Sequence, residues 1–279
     1  MTQASNYTQE TAPTLYLEAA GTRWAYRSFG KATGTPLVML IHFVATMDDW
    51  DPALVNPLAE THHIIQFDNK GVGGTSGVTP STIEEMADDA AAFIRALDCG
   101  KVDVLGFSIG GFIAQLLTAR HPGLVRKLIL AGTGPKGGAL IADILKHVEQ
   151  AQAEDPENPR RALFFPKTPA GREAAEAYAR RVAGRVKDRV PFPDKAAIMA
   201  QAQAIMHYGQ EKMDIRLLES ISQPTLIVNG DHDTMVATEG SLDLVRHIPD
   251  SKLVIWSGAG HGGLYQFAAD FVEEINRFL

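Results

Sequence analysis

The sequence predicts an α/β domain built on a mostly parallel, doubly wound sheet, with a helical segment inserted before the last two strands. Two observations carry this reading. Short apolar, β-branched runs alternate with helical patterns along most of the 279 residues, and those runs are too apolar for strands with one wet face. From about residue 135 to 222 this alternation stops, and charged helical text broken by prolines takes its place.

In chain order, "TLYLEA" (14–19) and "TRWAYRSFG" (22–30) alternate around a turn at Gly21 and read as an antiparallel edge hairpin. "PLVMLIHF" (36–43), "HHIIQFD" (62–68), "KVDVLGF" (101–107), "VRKLILAG" (125–132), "PTLIVNG" (224–230) and "SKLVIW" (251–256) read as strands covered on both faces. In "STIEEMADDAAAFIRALD" (81–98), Ser81 or Thr82 can cap a helix whose stripe is Ile83, Met86, Ala90, Phe93, Ile94 and Leu97. Residues 1–134 and 223–279 are therefore expected to form the sheet domain. Residues 135–222 are expected to form a helical lid over the strand ends, where ligands of such sheets bind; a decorative insertion or a dimerisation element is the other reading. The lid's basic residues are expected on its solvated face.

Composition narrows the function. The chain is 45% hydrophobic and 21% charged with a net charge of −7, so no basic surplus exists to neutralise nucleic acid or anionic lipid. A single cysteine, Cys99, allows neither an internal disulfide nor a cysteine-based zinc site. The stretch "MTQASNYTQETAP" lacks a cationic start and an apolar run, and no run reaches the roughly 18 residues that span a bilayer, so a cytoplasmic address is expected. No metal or cofactor is implied. The adjacent His62 and His63 point to opposite faces of a strand and make a poor ligand pair.

One stretch concentrates the chemistry. In "VDVLGFSIGGFIAQLL" (102–117) the text changes from strand to helix at Ser108, with Gly106, Gly110 and Gly111 around the corner. This fits a nucleophile elbow, in which a tight turn leaves no room for Cβ atoms and lifts the serine oxygen above the sheet edge at a helix N-terminus. A serine hydroxyl needs a base, and the base an orienting carboxylate. Among nine histidines, His261 lies in the glycine-rich loop "SGAGHGGL" after the last strand, where an imidazole can swing over the sheet edge. The loop after "PTLIVNG" offers Asp231 and Asp233; Asp233 is preferred as the orienting carboxylate, and Asp231 as a cap of the turn.

The order Ser108, Asp233, His261, together with "FDNKGVGGTSG" (67–77) and "LAGTGPKGG" (130–138), resembles the α/β-hydrolase superfamily, in its serine-nucleophile esterase, lactonase and cofactor-free haloperoxidase-like branch. The resemblance implies the α/β-hydrolase fold and an oxyanion hole of two backbone N–H groups. One is that of Ile109. The other comes from the loop after "PLVMLI", where relatives carry a His-Gly pair and this chain reads Ile41-His42-Phe43-Val44; the spacing to Trp50 favours Phe43, and Val44 is the alternative. It further implies cleavage of an ester or lactone of a small, largely apolar substrate through an acyl-enzyme. Perhydrolysis with peroxide and carbon-carbon bond hydrolysis use the same three side chains, and a small-molecule sensor on the same scaffold is a reading of another class. Trp50, Phe107, Phe164, Phe165, Tyr208 and Met235 are expected around the substrate, with Met47, Tyr178 and Met206 as further candidates. A homodimer is compatible with the insertion.

Overall fold

The computed structural model describes residues 7–279; residues 1–6, the start of the polar N-terminal stretch, lie outside the described residues. Among the described residues eight strands form one sheet: β1 (Leu15–Ala19), β2 (Thr22–Gly30), β3 (Leu37–Leu40), β4 (His63–Phe67), β5 (Val102–Phe107), β6 (Val125–Ala131), β7 (Thr225–Gly230) and β8 (Ser251–Trp256). Their order is β1-β2-β4-β3-β5-β6-β7-β8. The expected hairpin pairs Leu15 with Tyr26 and Ala19 with Thr22, and β2 runs antiparallel to β4; every other pairing is parallel. The chain therefore carries an antiparallel edge on a parallel sheet, and β3, β5, β6 and β7 are buried along their whole length or nearly so.

β8 departs from the expectation. Its residues are only partly buried and Ile255 is 40% exposed, because the strand closes the sheet and pairs with β7 alone. An apolar run at a sheet edge and one in its centre look the same in sequence.

The helices are α1 (Pro52–Thr61), α2 (Ile83–Ala96), α3 (Ile109–Arg120), α4 (Ile144–Glu154), α5 (Pro159–Phe164), α6 (Pro169–Val182), α7 (Lys195–Gln210), α8 (Ile215–Ser220), α9 (Thr238–His247), α10 (Gly263–Gln266) and α11 (Ala268–Phe278). α1 packs beside α11 and α2 beside α3, which covers the sheet on both faces. α2 begins where Thr82 Oγ1 accepts the Glu85 N–H; Ile83, Met86, Ala90, Phe93 and Ile94 of the predicted stripe are buried, and Leu97, just past the helix end, is half-buried. No helix among the described residues is long and apolar enough to cross a membrane.

Between β6 and β7 the chain makes α4 to α8. Several of its basic side chains do not lie on the solvated face. Arg185 lies 3.2 Å from Asp48 and Arg181 grips both oxygens of Asp51 at 2.7 and 2.6 Å. Asp48 also accepts from Arg27 at 2.5 Å, with both side chains essentially inaccessible. The text "DDWD" (48–51) thus binds the helical segment to the sheet domain through charge pairs whose carboxylates at 48 and 51 are buried, with Arg185 buried beside Asp48 and Arg181 partly exposed. Guanidinium groups suit this because they give several donors in a fixed plane to a carboxylate.

Candidate active site

Ser108 follows β5 directly and is the residue before α3, with φ +57° and ψ −121°. A backbone with positive φ outside the usual left-handed well costs a serine on the order of 1–3 kcal/mol, so the surroundings must hold it. They do so from the end of β6 and the turn after it: the Ser108 N–H donates to Ala131 O at 3.0 Å, and Thr133 Oγ1 donates to Ser108 O at 3.0 Å. The flanking glycines are steric necessities. A Cβ on Gly106 would lie 2.3 Å from the Gly110 carbonyl oxygen, and one on Gly110 would lie 2.1 Å from the Leu40 carbonyl oxygen. Gly110→Ala is accordingly expected to cost about 3 kcal/mol or more, because both parties to the clash are backbone. Urea unfolding checks this; a midpoint equal to that of the parent protein would contradict it.

The β8-to-α10 loop brings His261 over this corner. His261 Nε2 lies 3.0 Å from Ser108 Oγ and Nδ1 lies 2.8 Å from Asp233 Oδ2. A carboxylate oxygen accepts, so the ring proton sits on Nδ1 and the Nε2 lone pair faces the serine hydroxyl. Asp233 is itself fixed: its Oδ1 accepts the Met235 and Val236 N–H groups, each at 2.9 Å. The His261 and Asp233 side chains are fully buried, whereas Asp231 turns to the surface, where Oδ1 accepts the Gly258 N–H at 2.7 Å and pairs with His232. His62 and His63 turn away to Asn276 and Ser28.

The loop after β3 runs beside the serine. His42 is buried, and burial, with the charge of Arg160 in addition, pushes its pKa down to about 3, so the imidazole is neutral. Its Nδ1–H donates to the Phe43 carbonyl at 2.9 Å. Val44 has φ +53° and its N–H donates to Gln201 Oε1 at 3.2 Å. Among the described residues no acceptor engages the N–H of Phe43 or of Ile109.

A cavity of about 430 Å³ opens onto Ser108 and His261. Of the residues expected around it, Phe164 and Met235 line it, together with Phe43 and Val44. Phe107 lies beneath instead, its ring 5.2 Å from that of His261 and 5.3 Å from that of His42. Trp50 is fully buried against Tyr265. Phe165 packs on Tyr178 and borders a separate pocket beside Arg161 and Lys167, and Tyr208 stacks on Phe112 at 4.6 Å. Tyr178 stacks on Tyr265 and donates to the Asp49 carbonyl, Met47 is fully buried, and Met206 packs on the core. These side chains are apolar enough to be buried, but the strand, loop and helix positions that carry them turn toward the core.

The rest of the cavity wall escaped the sequence reading. Val148, Gln152, Pro159, Arg160 and Leu163 come from α4 and α5, and Phe192, 67% exposed, stands in the loop before α7. Arg160 pairs with Asp49 at 2.5 Å and donates to Val44 O at 3.3 Å. The acidic residues Asp48, Asp49 and Asp51, interleaved with the apolar Met47 and Trp50, were the one available signal that cations were needed from elsewhere in the chain.

Comparison with known proteins places this fold in a family. A family model described as "alpha/beta hydrolase fold" matches residues 36–268. An α/β hydrolase fold protein from Chitinophaga pinensis is 37% identical, with 98% of each chain covered and a TM-score of 0.93. A solved structure described as Est816, an N-acyl homoserine lactone degrading enzyme, is 26% identical over 95% of this chain and 100% of that one, with a TM-score of 0.74. The pimeloyl-[acyl-carrier protein] methyl ester esterase of Neisseria meningitidis is 28% identical over 265 residues, which cover 85% of this chain and 94% of that one. With its strand order, its strained Ser108 corner and a family match over most of its length, the chain belongs to the α/β-hydrolase fold family.

Proposed function

We propose that the chain is a serine hydrolase that cleaves a carboxylic ester or lactone of a small, largely apolar substrate through an acyl-enzyme. The observation that carries this reading is the unbroken relay from Ser108 Oγ through His261 to Asp233, at 3.0 and 2.8 Å, at the floor of a 430 Å³ cavity. Ser108 Oγ attacks the acyl carbon while His261 Nε2 takes the hydroxyl proton, and Asp233 stabilises the imidazolium. The carbonyl oxygen becomes an oxyanion held by the Phe43 and Ile109 N–H groups, neither of which is engaged by another group among the described residues. The imidazolium then protonates the leaving alkoxide, the acyl–oxygen bond breaks, and an ester links the acyl group to Ser108. Water attacks that ester as His261 takes its proton, and collapse returns the proton to Ser108 Oγ and releases the acid.

Residues 135–222 act as a lid in this scheme, since α4 and α5 supply much of the cavity wall. The mostly apolar wall favours an apolar acyl group, and two similar proteins are named for a lactone and a methyl ester. Turnover of p-nitrophenyl acetate, p-nitrophenyl butyrate and simple lactones tests the reading. Hydrolysis well above the background rate is expected. No hydrolysis, together with ligand-dependent thermal stabilisation, would overturn it in favour of a sensor.

A further inference from the structure

Two side chains of the helical segment grip a single backbone position beside the serine. Val44 is β-branched and yet has φ +53°, a conformation that costs such a residue on the order of 1–3 kcal/mol and that a glycine would hold freely. Its N–H donates to Gln201 Oε1 of α7 at 3.2 Å, and its carbonyl accepts from Arg160 Nη2 of α5 at 3.3 Å. Gln201 is 1% exposed, so this bond is shielded from water. Arg160 is anchored in turn by Asp49, which lies at the far end of the same loop and accepts the Thr46 N–H at 2.9 Å.

These bonds fix a peptide plane. In the peptide between Phe43 and Val44, the oxygen accepts from His42 Nδ1 and the N–H donates to Gln201, so both polar ends are tied. The next carbonyl is tied to Arg160. With the plane on its carboxyl side immobilised, Phe43 has less freedom to re-aim its own N–H, and among the described residues no other group competes for that donor. The loop is thus held from several sides, while the Phe43 donor stays free.

We propose that Gln201 and Arg160 are positioning residues. They hold Val44 in its left-handed conformation and so aim the Phe43 N–H at the oxyanion, which couples acyl transfer to the seating of α5 and α7 on the sheet domain. This inference rests on the serine chemistry proposed above. Neither residue donates to the oxyanion itself; each acts through the backbone of Val44. A donor that wanders loses its value in the transition state more than in the ground state, because the charge it serves exists only there.

The test is Gln201→Leu, which keeps the bulk and removes the acceptor. Its kcat on p-nitrophenyl butyrate is expected to fall by about 10-fold to 100-fold, less than the loss of a whole oxyanion donor. KM should stay within about 3-fold, because ground-state contacts remain. Affinity for an aryl trifluoromethyl ketone, which forms a tetrahedral adduct on Ser108, should fall by the same factor as kcat, while inhibition by butyrate stays level. Gln201→Glu, which retains an acceptor oxygen, should recover most of the rate. Unchanged kcat in folded Gln201→Leu, a loss confined to KM, or no recovery with Glu would overturn the proposal. If Gln201→Leu does not fold by circular dichroism, Arg160→Lys replaces it, with the same split expected and unchanged kcat again fatal. Ser108→Ala separates the two claims. Full turnover without the serine refutes the serine chemistry, whereas a dead Ser108→Ala beside a fully active Gln201→Leu refutes only the positioning role.

Discussion

Ser108→Ala is expected to lower kcat for an acyl ester by about 10⁴-fold to 10⁶-fold, the scale on which removing a nucleophile disables a serine relay. The fold should survive the change. The bonds that hold residue 108 in its strained conformation are made by its backbone, to Ala131 O and from Thr133 Oγ1, and alanine makes them equally well. His261 loses a 3.0 Å partner on Nε2 and keeps the 2.8 Å bond to Asp233. A variant with the parent unfolding midpoint and no burst of p-nitrophenol is therefore the expected result. Residual turnover within about 10-fold of the parent would show that acyl transfer does not run through this oxygen, since binding and oxyanion contacts alone leave far less.

Asp233→Asn carries the second largest effect, a loss of about 10⁴-fold, through the tautomer of the histidine rather than through packing. Asparagine can still accept the Met235 and Val236 N–H groups with its Oδ1, because those bonds fix that oxygen at 2.9 Å. Its amide nitrogen then faces His261 Nδ1 where Oδ2 stood, and an N–H donor there forces the ring proton onto Nε2. A protonated Nε2 donates to Ser108 and cannot take its proton. Asp231→Asn, two residues away, should leave kcat within about 3-fold, because its side chain serves the surface turn at Gly258 and His232. Steady-state kinetics on the pair decides the matter. Equal losses, or a larger loss for Asp231, would mean that another group orients the histidine.

Much of the architecture is legible along the chain because it is written in local patterns. The strands lie within a residue or a few of the apolar runs, since a sheet covered on both faces needs continuous apolar text and the turns between need polar, glycine-bearing text. The Ser108 corner is legible for the same reason: Gly106 and Gly110 are required by contacts within a few residues or with the neighbouring strand end at Leu40. Exposure of β8 was not legible, because an edge is a property of strand order.

The cavity wall was hardest to read. Phe164 and Phe165 are adjacent in sequence and equally apolar, yet one faces His42 and His261 while the other faces Tyr178. Arg160, Arg161, Arg181 and Arg185 look alike in the text. Arg161 pairs locally with Asp155 on the same segment, whereas the other three reach Asp49, Asp51 and Asp48, each more than a hundred positions away.

The sequence by itself determined which fold these residues build and which serine, aspartate and histidine stand in the loops at its strand ends, because strand periodicity, the steric demands of a sharp turn and the scarcity of alternatives in the two final loops act over a few residues. Tertiary structure alone decided which aromatics meet the cavity, which arginines leave solvent, and that Gln201 and Arg160 converge on Val44. Those outcomes depend on the rotation and seating of α5, α6 and α7 against the sheet domain, a balance of contacts between distant segments that no short window of sequence contains.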